Sequence, residues 1–125
     1  MKTTQLLCLL GLSLLSTQIF AYGSSSSSKS CAKPVFSEFS PVNNAEVAPQ
    51  SAFSFLASSA TNPKSIVVDI KKQAVEVTVT PKGQGYQVSG KLPSGLKGTI
   101  ARINITAESP SNCKGSDGWL IKISE

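Results

Sequence analysis

From residue 34 to the C-terminus the apolar side chains recur at every second position, and no segment repeats at the 3.6-residue period of a helix. "AFSFLA" (52–57) sets Phe53 and Phe55 against Ser54, and "SIVVDI" (65–70) sets Ile66, Val68 and Ile70 against Val67 and Asp69. "AVEVTVT" (74–80) alternates Val75, Val77 and Val79 with Glu76 and Thr78, and "GYQVSGKL" (85–92) offers Tyr86 and Val88. "ARINITAE" (101–108) aligns Ala101, Ile103, Ile105 and Ala107, and "GWLIKIS" (118–124) aligns Trp119, Ile121 and Ile123. Period-two alternation is the pattern of strands with one face buried and one face wet. Between the runs lie "SPVNNAEVAPQ" (40–50), "SSATNP" (58–63), "KKQ" (71–73), "PKGQG" (81–85) and "LPSGLKG" (92–98), all rich in turn formers. The expectation is an all-β chain, an antiparallel β-sandwich of about seven strands over 34–125.

The N-terminus reads differently. Lys2 is followed by an apolar run from Leu6 to Leu15 and then by small and polar residues. That run is shorter than the ~20 residues a spanning helix needs, so 1–21 reads as a secretory signal peptide cut near Ala21. No membrane span remains after its removal. Cys8 lies inside the apolar run and follows Leu7, not the small residue a lipobox needs, so it leaves with the leader. Residues 22–33, with "YGSSSSSKS" at their start, carry nothing to bury and read as a flexible linker.

Export leaves Cys31 and Cys113 in an oxidising compartment, where an even count reads as a disulfide; two free thiols or a metal pair are the alternatives. The whole chain has 12 Lys and Arg against 7 Asp and Glu, a net charge of +5. The basic residues are scattered and aromatics are few, so nucleic acid is not an expected partner.

The order of elements resembles the Ig-like modules of bacterial cell-surface proteins. The "SPVNNAEV" entry (40–47), the Phe53–Phe55 strand, the "SIVVDIKKQAVEVTV" hairpin (65–79) and the turn around Leu96 to Ile100 follow that pattern across nearly all of 34–125. One departure is Ile100, where such modules often carry Tyr. The same skeleton resembles periplasmic copper-binding proteins of the CopC type, which share a leader, a Pro-rich first strand and an "S-x-D-G" turn, here Ser116-Asp117-Gly118, into the last strand. The copper site of that family uses histidines near the mature N-terminus and after the "DG". This sequence has no histidine, and Trp119 stands at the second of those positions. The resemblance therefore implies an Ig-like fold without the copper ligands. It also implies that Cys31, before the first strand, and Cys113, in the last loop, lie at the same end as an edge staple rather than a bridge through the core.

Catalysis has little to work with. Without His, the usual triads and general bases are missing, and the carboxylates of Glu38, Glu46, Asp69, Glu76, Glu108, Asp117 and Glu125 are dispersed. The chain reads as a non-enzyme with no cofactor. Calcium between Glu108 and Asp117 is a minor possibility. Lys71 and Lys72 read as a solvated hairpin tip more readily than as a dock for an anionic polymer, and "NIT" (104–106) matches a glycosylation sequon. Trp119 shares parity with Ile121 and Ile123 and reads as core. What remains is the loop end formed by 58–64 and 108–117, where Asn62, Lys64, Lys114, Ser116 and Asp117 are the candidate binding residues. The expected function is a secreted or periplasmic module that binds a protein or glycan at the cell envelope. A metal-handling protein and a structural subunit of an envelope complex are the alternatives.

Overall fold

The computed structural model describes residues 31–125. The signal-peptide reading of 1–21 and residues 22–30 of the linker read over 22–33 lie outside the described residues. Nine strands form two sheets: β1 (Phe36–Ser40), β2 (Ala45–Val47), β3 (Ala52–Ala57), β4 (Val67–Ile70), β5 (Gln73–Val75), β6 (Val77–Lys82), β7 (Gly85–Lys91), β8 (Thr99–Glu108) and β9 (Lys114–Ile123). One sheet has four strands in the order β1-β3-β7-β6, and the other has five in the order β2-β9-β8-β4-β5. The all-β sandwich is as the alternation implies.

The parity of each run sets its buried face. Phe53, Phe55, Val88, Ile70, Ile103, Ile105, Trp119 and Ile121 all belong to one buried cluster between the sheets. Trp119, at 2% exposure, is core. Its ring meets Phe39 at a centroid distance of 4.8 Å and stands edge-on to Phe53 and Phe55 at 6.2 and 6.1 Å, a geometry that aromatic quadrupoles favour. The Trp119 Nε1–H donates to the Pro41 carbonyl at 2.7 Å, so its one polar atom is satisfied.

Two differences from the expected seven antiparallel strands each involve a change of sheet. Residues 40–50, expected as a turn, contain β2, where the chain leaves β1 in the four-stranded sheet and crosses to pair with β9 in parallel, Ala45 opposite Ile121. The run 74–80 divides. β5 pairs with β4, and after Glu76 the chain continues as β6 against β7 in the other sheet. Both sheets bury their faces in the same core, so the alternation passes through Glu76 unbroken while the pairing partner changes.

Two hairpins are closed by two-residue loops. Gly83, with φ of 61°, takes the first central position between Lys82 and Gly85, where a left-handed residue suits the strand twist. Between Ile70 and Gln73 both loop residues are left-handed, Lys71 at φ 49° and Lys72 at 66°. That is the signature of a type I′ turn, held here by lysines where Asn-Gly is preferred.

Candidate functional site

Cys31 and Cys113 are disulfide-bonded. Cys113 is buried and closes a tight five-residue corner: Ser109 N–H donates to the Cys113 carbonyl at 2.9 Å, and the Cys113 N–H donates to Ser109 Oγ at 3.0 Å. Asn112 completes the turn in the left-handed region, φ 67°, its N–H donating to the Ser109 carbonyl at 2.8 Å. Ser109, buried at 3% exposure, thus has its backbone N–H, its carbonyl and its hydroxyl all engaged in the corner.

The five candidate residues separate in this structure. Asn62 caps the 3₁₀ turn Pro63–Ser65: its Oδ1 accepts from the Lys64 N–H at 3.0 Å and its carbonyl from Ser65 Oγ at 2.7 Å. Its N–H donates to the Glu108 carbonyl at 2.8 Å, which joins that turn to the end of β8. Asn62 is therefore a structural cap, and Lys64 beside it is exposed.

Lys114, Ser116 and Asp117 belong to β9, not to a loop. The strand begins four residues earlier than the hydrophobic run because β8 pairs with it without a break from Thr99–Ile123 to Glu108–Lys114. Ser116 lies opposite Thr106, and Asp117 opposite the buried Ile105. Ser116 and Asp117 therefore point to opposite faces of the sheet. Glu108 and Asp117 likewise lie on opposite faces of the sheet, which does not suit the calcium pairing raised as a minor possibility from the sequence. Asp117 Oδ1 accepts from the adjacent Gly118 N–H at 2.7 Å.

That contact belongs to a series along the outer edge of β9. The Leu120 N–H donates to Asn43 Oδ1 at 2.9 Å, and the Asn44 N–H donates to the Leu120 carbonyl at 2.7 Å. Beyond them β2 pairs with residues 121–123. Since N–H groups on alternate residues of a strand face the same side, Gly118 and Leu120 would both present donors at an open edge. Asp117 and Asn43 occupy those donors, which blocks strand addition there.

Lys114 and Ser116 do converge with other residues. On the outer surface of the five-stranded sheet, Ser65, Val67, Thr106, Glu108, Lys114 and Ser116 line a groove of about 440 Å³. Val67, Thr106 and Ser116 form one row across β4, β8 and β9, and Glu108 and Lys114 form the next pair. Val67 is 53% exposed and is the largest apolar side chain of the lining. Ser65 is already engaged, its Oγ accepting from the Glu108 N–H at 2.8 Å. Thr106 and Glu108 were readable as wet-face residues of 101–108; that they meet Ser116 and Lys114 depends on register between strands, which alternation does not specify. A polar chain borders the groove: Arg102 Nε donates to Asn104 Oδ1 at 2.9 Å, and Asn104 Nδ2 donates to Asp69 Oδ2 at 3.4 Å.

Among the described residues no group of three His, Cys, Asp or Glu side chains could hold a metal ion, and no helix is long and apolar enough to cross a membrane.

No protein-family model matches the chain, and no curated protein does. Solved structures do. CopC from Methylosinus trichosporium OB3b is similar at a TM-score of 0.55 and 10% identity, covering 73% of this chain and 93% of that one. PcoC, a methionine-rich copper resistance protein from Escherichia coli, is similar at 0.54 and 14% identity, covering 74% and 100%. The GspB Siglec domain is similar at 0.53 and 16% identity, covering 74% of this chain and 57% of that one. The shared feature is the Ig-like β-sandwich fold of the CopC-type proteins. The donor set of this chain does not fit copper: there is no His, the single Met is Met1, and the Trp119 indole points into the core.

Proposed function

We propose that the protein is an exported, non-catalytic Ig-like module that binds a protein or glycan at the cell envelope, with the groove around Val67 as its contact surface. The observation that carries this reading is the groove itself. An exposed apolar side chain lies among the free hydroxyls of Thr106 and Ser116 and the opposed charges of Glu108 and Lys114. The elements around it are held by the Asn62 cap and flanked by the disulfide-closed corner. A rigid framework with a small apolar centre and a polar rim is the anatomy of a recognition surface. Export is supported by the apolar leader and by the disulfide. A metal-handling role is favoured only by the fold shared with CopC and PcoC, and the missing imidazole and thioether ligands oppose it.

The test is native mass spectrometry of the protein from its own host, with and without reductant. The expected species is metal-free, gains two hydrogens on reduction, and carries a partner that is lost from the charge-neutral groove variant Val67→Glu/Thr106→Lys. A partner retained by that variant, or a stoichiometric metal, would sink the proposal.

A further inference from the structure

The strands at the edges of the two sheets are not alike. β2 and β5 are three residues long, and β1 is bulged between Ser37 and Ser40, with Glu38 left-handed at φ 52°. Short or bulged edges resist the addition of another strand. β6 runs six residues, Val77–Lys82, in unbroken register with β7, and it borders no other strand among the described residues. Its edge-protecting residues, Pro81 and Lys82, stand at the end beside the turn.

The hairpin determines which backbone groups β6 leaves open. Lys82 and Gly85 flank the two-residue loop as a hydrogen-bonded pair, so Thr80 and Thr78 also direct their N–H and C=O groups to β7. Val77 and Val79 direct theirs away from the sheet, and neither N–H has an acceptor among the described residues. Pro81 falls in the same series and has no N–H to offer. The side chains of Val77 and Val79 pack against the core but are only partly buried. Open donors, open acceptors and half-covered valines therefore coincide over 77–79.

We infer that β6 pairs with β6 of a second copy of this chain, antiparallel about a two-fold axis at Thr78. In that frame Val77 lies opposite Val79 of the second copy, and each such pair exchanges both of its N–H···O=C bonds, which satisfies every open group of the valines. Pro81 stays outside the ladder. Centring the axis on Val79 would instead set the Pro81 ring against Val77 and leave the Val77 carbonyl unpaired. Charge selects the same occupant. Glu76 and Lys82 are both exposed, Glu76 beside Thr78 on the outer face and Lys82 beside Ser37 and Leu56. Antiparallel pairing brings Glu76 diagonally beside Lys82 of the second copy, once on each side of the axis. The two-fold joins the four-stranded sheets of both copies into one, and growth stops at two. The Val67 groove lies on the other sheet and stays open, so the dimer carries two such grooves, whatever they bind.

The test is sedimentation velocity of the oxidised protein from about 1 to about 500 µM, since so narrow a contact is expected to dissociate on the order of tens of micromolar. A dimer that builds up with concentration is the expected result. Thr78→Lys sets two ammonium groups against each other on the axis and weakens the dimer by about tenfold or more. Ser37→Lys, the same charge on the far edge of the sheet, leaves it unchanged. Glu76→Lys and Lys82→Glu each weaken it about tenfold, because each creates like-charge pairs on both sides of the axis. Mixed in equal amounts, these two variants recover the parental association, because their heterodimer pairs opposite charges at both places. Near-ultraviolet circular dichroism of Trp119 verifies that each variant is folded. A monomer at every concentration, which would leave the edge to a strand of some other protein, overturns the inference. So does a Thr78→Lys dimer as tight as the parent's, an equal loss in Ser37→Lys, or a mixture that associates no better than its components.

Discussion

Trp119 and Pro41 are joined by a hydrogen bond of 2.7 Å from indole N–H to carbonyl. Trp119 is a core residue of β9, and Pro41 lies where the chain leaves β1 for β2. The bond therefore ties the centre of one sheet to the crossover from the other. Trp119→Phe keeps an aromatic ring in place but leaves the Pro41 carbonyl without its donor, at a cost of about 1–3 kcal/mol. Trp119→Ala adds a cavity among Phe39, Phe53 and Phe55 and costs about 3–5 kcal/mol. Guanidinium denaturation followed by far-ultraviolet circular dichroism checks both; a Trp119→Phe midpoint equal to the parent's would remove the bond from the account.

The Cys31–Cys113 bridge closes a loop of 82 residues, from 31 to 113. Constraining so long a loop in the unfolded chain is worth up to about 4–5 kcal/mol. A domain of this size buries only a modest core, so that is a large share of its stability. The Cys31→Ser/Cys113→Ser variant is expected to unfold at markedly lower denaturant, by an amount that reductant reproduces in the parent protein. Coincident unfolding curves in the presence and absence of reductant would contradict this.

Lys71 and Lys72 both hold the left-handed backbone of a type I′ turn, a conformation that costs a side chain with a Cβ. Lys71→Asn/Lys72→Gly supplies the preferred pair, and the relief outweighs the added freedom of Gly in the unfolded chain. We expect stabilisation of about 0.5–1 kcal/mol, read as a raised denaturation midpoint. A lowered midpoint would show that the lysines contribute contacts the turn geometry does not reveal.

Copper added to the oxidised protein is expected to be removed by gel filtration. With no imidazole and no thioether beyond Met1, the nitrogen and soft-sulfur donors copper prefers are missing. A copper ion that co-elutes at one per chain would revive the metal-handling reading.

Parity was the legible part of this chain. The alternation in 52–57, 101–108 and 118–124 correctly assigns Phe53, Phe55, Ile103, Ile105, Trp119 and Ile121 to the core, because burial on one face is written residue by residue. Sheet membership is not written that way. Glu76 gives no sign that β5 and β6 pair in different sheets, and "NNAEVAP" (43–49) reads as turn although Ala45–Val47 forms β2. The start of β9 was hidden for a related reason. Gly115, Ser116 and Asp117 are turn formers held in a strand by ten consecutive pairings with β8. The candidate site suffered most, since it depended on register: Lys114 and Ser116 reach a common groove, whereas Asn62 is spent on a cap and Asp117 on the edge of β9.

The bridge also determines how tension would travel. Covalently, the shortest route from Cys31 to the C-terminus jumps across the disulfide to Cys113 and runs along β9 alone. Residues 32–112, which carry β1 through β8, hang from that route as a closed loop. A pull between the Ser-rich segment and Glu125 can at most strip β9 from β2 and β8 and draw it straight; the other strands cannot be extended while the bridge holds. Reduction removes the shortcut and puts the whole sandwich in series with the load.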